Sequence, residues 1–175
     1  MFRNFNYLTF FLLCFSLFSC QNSEKTDEIG KELILENLPV LLDNLDYFNT
    51  NDTPLSVGIY QYVGEIKSDQ KIVLKNFQNR FNLNNEKIFN GQIKIRKIPV
   101  KIGNYSLFLD KDNAFQKRTD VINISFVNPI ISKNNQYACI EVVKSLGSGA
   151  KFEIYYFKQK NGKWIFVEKE VIALG

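Results

Sequence analysis

The chain contains no histidine, one methionine, one tryptophan, three cysteines and four prolines among its 175 residues. Without imidazole it lacks the commonest general base and the commonest transition-metal ligand. Three cysteines with no Cys-x-x-Cys spacing exclude both a disulfide-stapled miniprotein and a zinc module. No apolar run approaches the roughly 20 residues needed to cross a bilayer as a helix. A strong charge of one sign is missing too. Lysine and arginine number 22 against 18 acidic residues, a net charge of +4. That is too mild for a nucleic-acid footprint, and no RNA-binding signature accompanies it. What is present is 45% hydrophobic and 14% aromatic residues, an ordinary content for one globular domain with its own core.

The first twenty residues read as an address. Arg3 supplies a positive start, and Tyr7 to Phe18 form a 12-residue apolar run broken only by Thr9 and Ser16. The run suits the core of a secretory signal. Its end, Leu17-Phe18-Ser19-Cys20, resembles a bacterial lipobox, in which the cysteine thiol is acylated and becomes the new N-terminus. The resemblance implies lipidation at Cys20 and anchorage in the outer membrane, and the Gln-plus-acidic stretch after it resembles the export signal that places lipoproteins on the outer face, with the periplasmic face as the alternative. Gln21 to Glu28 is polar and acid-rich, a solvated tether between lipid and fold. The expected division is a signal peptide over residues 1–19, a tether over 20–28 and a single α+β domain over 29–175. In a bacterium the Asn-x-Ser/Thr sequons at Asn51, Asn104 and Asn123 are not glycosylation sites.

Apolar residues from Ile29 to Leu45 recur at helical spacing, with Thr26 or Asp27 as N-cap and Pro39 as an interruption. Asn49 to Pro54 is a turn cluster, Leu55 to Ile66 a candidate strand, and Ser68 a candidate cap for a helix carrying Ile72, Val73, Phe77 and Phe81. From Gln92 the period becomes two, with a slip at Arg96-Lys97 that predicts a bulge and Pro99 at an edge. Tyr105 to Leu109 and Val121 to Val127 are strands flanking a polar loop, the second ended by Asn128-Pro129.

The C-terminal meander is the most legible part: strands over Tyr137–Ser145, Lys151–Gln159 and Lys163–Ile172. Asn161-Gly162 favours a two-residue type I′ turn. That turn pairs Lys160 with Lys163, and by continuation Glu153 with Glu170; Ser145 is taken opposite Lys151. This register puts Ala138, Ile140, Val142, Phe152, Ile154, Tyr156, Ile165, Val167 and Val171 on a core face beneath the N-terminal helix. The other face then carries Glu141, Glu153, Glu168 and Glu170 with Tyr137, Tyr155, Phe157, Trp164 and Phe166.

The block from Phe126 to Ala138, with Gly147-Ser148-Gly149 and Lys160-Asn161-Gly162-Lys163-Trp164, resembles a group of uncharacterised small lipoproteins of Gram-negative bacteria. The likeness covers roughly residues 121 to 170. It implies an address and a fold type, and it brings no activity or site residue with it.

The expected fold is α+β: N-terminal helices on a curved antiparallel sheet ending in the meander, with cystatin-like and NTF2-like arrangements as the candidates. The candidate ligand face is Tyr155, Trp164, Glu141, Glu153, Glu168 and Glu170, because sugar sites combine aromatic platforms with carboxylates. On the expected register Glu141 and Glu153 are diagonal neighbours about 7–8 Å apart, a spacing compatible with an inverting glycosidase. The plainer reading is a solvated sheet face. Other motifs carry less. Gly147 to Lys151 leads into a strand, not the helix a phosphate loop requires. Asp110 and Asp112 lack the remaining ligands of an EF-hand loop. Cys139 reads as a buried thiol, and Lys94, Arg96, Lys97 and Lys101 as edge protection. The expectation is a non-enzymatic binding or interaction module with no cofactor, metal or nucleic acid, and the membrane as a partner through its anchor. A hydrolase using Glu141 and Glu153, and a structural or immunity-type lipoprotein with a protein partner, are the alternatives.

Overall fold

A computed structural model describes residues 27–48, 56–64, 70–83, 93–111 and 120–175. The signal peptide, Cys20, the tether up to residue 26, the Asn49–Pro54 turn, Ser68, and Asp112 with most of its polar loop lie outside the described residues.

Residues 27–36 form helix α1, so Asp27 and Glu28, expected in the tether, are already helical. Pro39 imposes its break: α2 (Leu38–Leu41) starts with the proline in its first turn, where the missing N–H costs nothing. The Asn37 side chain donates 3.0 Å to the Leu33 carbonyl and bridges the break. A turn through Asp43 and Asn44 leads to a 3₁₀ segment, Leu45–Phe48. Along this stretch Leu33, Ile34, Leu38, Leu41, Leu42 and Leu45 are buried, as the periodicity predicts.

The strands are β1 (Ser56–Tyr60), β2 (Tyr62–Val63), β3 (Ile93–Lys94), β4 (Lys101–Ile102), β5 (Tyr105–Asp110), β6 (Val121–Ile131), β7 (Tyr137–Leu146), β8 (Gly149–Lys160) and β9 (Lys163–Leu174). Helix α3 (Gln70–Phe81) separates β2 from β3. Seven strands build one sheet in the order β4-β5-β1-β6-β7-β8-β9, and β2 pairs with β3 beside it. The α+β class is as expected. The sheet, however, is mixed: β1 lies parallel to both β5 and β6, while β6 to β9 form the antiparallel meander. The expected bulged strand around Arg96-Lys97 is instead two short strands in different sheets, β3 and β4, joined by residues 95–100, which belong to no regular element. Nor does Asn128-Pro129 end β6, because a register shift between Val127 and Ile130 lets the strand continue past the proline.

The meander has the expected strands but not the expected faces. Asn161 and Gly162 both have positive φ, as a type I′ turn requires, and Lys160 pairs with Lys163. A bulge on β9 at Val167 then shifts the ladder, so Glu153 lies opposite Val171 and not Glu170, and a second bulge at Ile172 shifts it again beyond that pair. The β7–β8 turn is also one residue tighter than expected. Gly147, with positive φ, and Ser148 are its two central residues, and Ser145 pairs with Ala150 rather than Lys151. One residue of slip transfers a strand's entire side-chain set to the other face. Ala138, Ile140 and Val142 therefore share their face with Glu153, Tyr155 and Phe157. The N-terminal helices cover this face and close one core with Trp164. On the opposite face Cys139, Ile154 and Tyr156 pack with Ile130 against Val73 and Phe77 of α3. Among the described residues no helix is long and apolar enough to cross a membrane.

Candidate functional site

The six residues expected on one ligand face are distributed over both sides of the sheet. Glu153, Tyr155 and Trp164 belong to the face beneath the N-terminal helices; Glu141, Glu168 and Glu170 belong to the other. Glu141 pairs with Ile154 and Glu153 with Val142, so the two glutamates point to opposite sides and are not the diagonal neighbours expected. Trp164 is 4% exposed within the core, and its indole N–H has no hydrogen-bond partner among the described residues. Cys139 is a buried thiol, pushed above its ordinary pKa by burial and then by the Glu141 charge.

Glu153 and Tyr155 enter an ionic cluster not visible in the sequence. Lys144 projects from β7 into the core, fully buried, 2.8 Å from the equally buried Glu153 carboxylate. Its ammonium also donates to the Tyr155 hydroxyl at 2.6 Å, and to the Asp43 carbonyl at 2.7 Å and carboxylate at 3.1 Å. The Tyr155 hydroxyl donates to the same Asp43 carboxylate. Lys169 of β9 closes the ring, 2.8 Å from Asp43 and 3.1 Å from Glu153, and Lys151 approaches Glu153 to 3.1 Å. Glu153 Oε1 has these two ammoniums beside it but no well-aligned hydrogen bond among the described residues.

Burial opposes every charge here. For Asp43, burial alone raises the pKa, but hydrogen bonds from Lys169 and Tyr155 and the Lys144 charge outweigh it and hold the carboxyl low. The same contest, with Lys144 as the main partner, lowers Glu153. Lys144 itself is lowered because its desolvation exceeds the support of both carboxylates. Tyr155 is pushed far up, first by burial and then by Asp43, so it stays a neutral donor. A second tie, from the Tyr105 hydroxyl to Asp46, raises Tyr105 to about 12 through burial and then that carboxylate. The cluster joins the turn after α2 to three strands and leaves its buried groups facing one another. Chemically it is a clamp.

On the other face, α3 and β9 flank an open groove of about 310 Å³ lined by Asn76, Asn79, Arg80 and Glu170. Glu170 accepts from the Asn76 amide at 2.7 Å and from the Tyr156 hydroxyl at 3.0 Å; Arg80 donates to Glu168 at 2.6 Å. The guanidinium also lies over the Tyr156 ring, 5.6 Å from its centre. Tyr156 is raised, first by burial and then by Glu170. Of the expected ligand residues, Glu168 and Glu170 alone are brought together at a concave, solvent-facing surface. Asn76, Asn79 and Arg80 were missed, because side chains on the polar side of an amphipathic helix look alike in a sequence. Among the described residues no group of three or more side chains could hold a metal ion.

Comparison of the chain with protein-family models, curated proteins and solved structures finds no match.

Proposed function

We propose that the protein is a lipid-anchored, non-enzymatic binding module of the outer membrane, and that its ligand surface is the groove between α3 and β9. The supporting observation is the groove itself. Two carboxylates, a guanidinium and two amides line or border one open cavity, pre-set by Asn76–Glu170, Arg80–Glu168 and Tyr156–Glu170 hydrogen bonds. Groups of this kind recognise hydroxyls and amines through directional hydrogen bonds. Glu141 and Glu153 face opposite sides of the sheet, which removes the geometric ground for a two-carboxylate hydrolase. The anchor rests on the lipobox-like sequence ending at Cys20.

Two experiments test the two halves of this reading. Cells expressing the full chain should incorporate labelled palmitate, and Cys20→Ser should abolish the label; undiminished labelling would remove the anchor. Calorimetric titration with oligosaccharides and short amine-bearing peptides should find a ligand whose affinity falls about tenfold or more in Glu170→Gln and Arg80→Ala. Unchanged affinity in both variants would take the groove out of consideration. Trp164 fluorescence is unsuited to the assay, because the indole is buried in the core beneath the helices.

A further inference from the structure

Residues 94–101, from the end of β3 to the start of β4, carry Lys94, Arg96, Lys97 and Lys101 with no acidic residue between them, and all four are exposed. None of these cations makes an ion pair with a described acid, whereas Lys144, Lys151, Lys169 and Arg80 all do. Between them stand Pro99 and Val100, both exposed, and Val100 at 83% is the most exposed large apolar side chain described. The ribbon is nevertheless firmly held. Ile93 pairs with Val63, the Ile95 amide donates to the Gln61 carbonyl at 2.8 Å, and Ile93 and Ile95 are buried. At the far end the Leu107 amide donates to the Val100 carbonyl at 2.9 Å, and Lys101 pairs with Ser106. The backbone thus presents a fixed row of cations around an apolar tip.

The ribbon also lies beside the start of α1. A Cβ on Gly30 would come within 2.4 Å of Ile93 Cδ1, so the first described turn of the helix rests on the ribbon's first residue. Cys20 precedes the described helix by seven residues, a length that spans at most about 25 Å when fully extended.

We propose that residues 94–101 form a second membrane contact, in which Lys94, Arg96, Lys97 and Lys101 meet the phosphates of an anionic bilayer and Val100 enters its interface. Basic side chains gain free energy close to an anionic surface, and a polybasic patch combined with an acyl chain is a recurrent two-part anchor. The exposed valine supports a lipid surface over a nucleic acid, since residues 94–101 contain no aromatic platform for bases and the neighbouring Tyr62 ring is already covered by the Lys94 ammonium, 5.1 Å from its centre. The proposal uses the lipid-anchor reading only to place the ribbon near a bilayer, so its test employs protein without the acyl group.

Residues 21–175, which include every described residue, are sedimented with phosphatidylcholine vesicles with and without about a quarter phosphatidylglycerol. Binding to the anionic vesicles alone is expected, with loss in about 0.5 M NaCl. The triple variant Arg96→Gln, Lys97→Gln, Lys101→Gln should partition about tenfold less or weaker still, with an unchanged melting curve. Val100→Ser should cost a few-fold, and Lys133→Gln with Lys160→Gln should leave partition unchanged. Equal binding to both vesicle types, no binding, or a triple variant that partitions normally would overturn the proposal. So would a single-stranded oligonucleotide that binds more tightly than the anionic vesicles. Failure here leaves palmitate labelling at Cys20 untouched, so the two membrane readings stand or fall separately.

Discussion

Glu153 and Lys144 are both shut off from water, and each is tolerable only because the other is there. Glu153→Gln would leave Lys144 and Lys169 sharing the one remaining carboxylate, Asp43, and take from Lys151 its carboxylate, and a loss of about 3–5 kcal/mol in urea unfolding is expected. Adding Lys144→Met should recover a substantial part of that loss, and a double-mutant cycle measures the coupling. Simple additivity of the two effects would mean that the pair is not a unit. The pH dependence has a definite sign. Asp43 and Glu153 have folded pKa values below their ordinary 3.8 and 4.5, so the unfolded chain binds protons first as pH falls. Their contribution is present above the ordinary values and is lost as pH falls through the lower, folded ones. The urea midpoint of the native chain should therefore drop steeply below about pH 4. Asp43→Asn should flatten that slope, and an unchanged slope would show that Asp43 is not a stabilising acid.

At the scale of elements, the contact between α1 and β3 can be tested with two substitutions. Gly30→Ala would push its methyl into the Ile93 side chain and should destabilise the chain, despite the better helix propensity of alanine. In an Ile93→Val background the obstructing Cδ1 is gone. There the same change should be neutral or stabilising by up to about 1 kcal/mol, read from thermal melts. A persistent loss would place the strain elsewhere. Elements also mark where the sequence stops being readable. Pro39, the Asn161-Gly162 turn and the alternation of β7 locate breaks and strands from residue chemistry alone. The bulges at Val167 and Ile172 are different, since neither residue differs in type from an ordinary strand position. Because a bulge inserts one residue into a period of two, the silent bulge at Val167 decides which face Glu168 and Glu170 occupy, while the tight Gly147-Ser148 turn decides the face of Glu153 and Trp164. The parallel placement of β1 was hidden for another reason: its partners β5 and β6 lie far along the chain, and no local pattern records them.

For the whole molecule, one core runs from Leu33 and Leu45 in the N-terminal layer through Ile59, Ile124 and Ile140 to Trp164. Helices and sheet should consequently unfold together. Thermal transitions followed by Trp164 emission and by far-ultraviolet circular dichroism should coincide, and a Trp164 transition several degrees away would reveal separable parts. The α+β class was legible because helical and alternating periods occupy different halves of the chain. The α3–β9 groove was half legible: Glu168 and Glu170 stood out, but their partners depend on a helix arriving from nearly a hundred residues away.

The span of the clamp sets an order of events on a ribosome. Asp43 is 101 residues ahead of Lys144 and 126 ahead of Lys169, so when its turn emerges neither cation that will hold it has been made. Strand β1 likewise waits for β5 and β6. A chain delivered N-terminus first should therefore stay open until its last strand arrives to supply the sheet edge, the Lys169 arm of the clamp and Trp164 of the core. Ending the chain after residue 160 should leave it without a cooperative melting transition, although only β9 is missing. A sharp transition in that shortened chain would show that the first 160 residues can close without it.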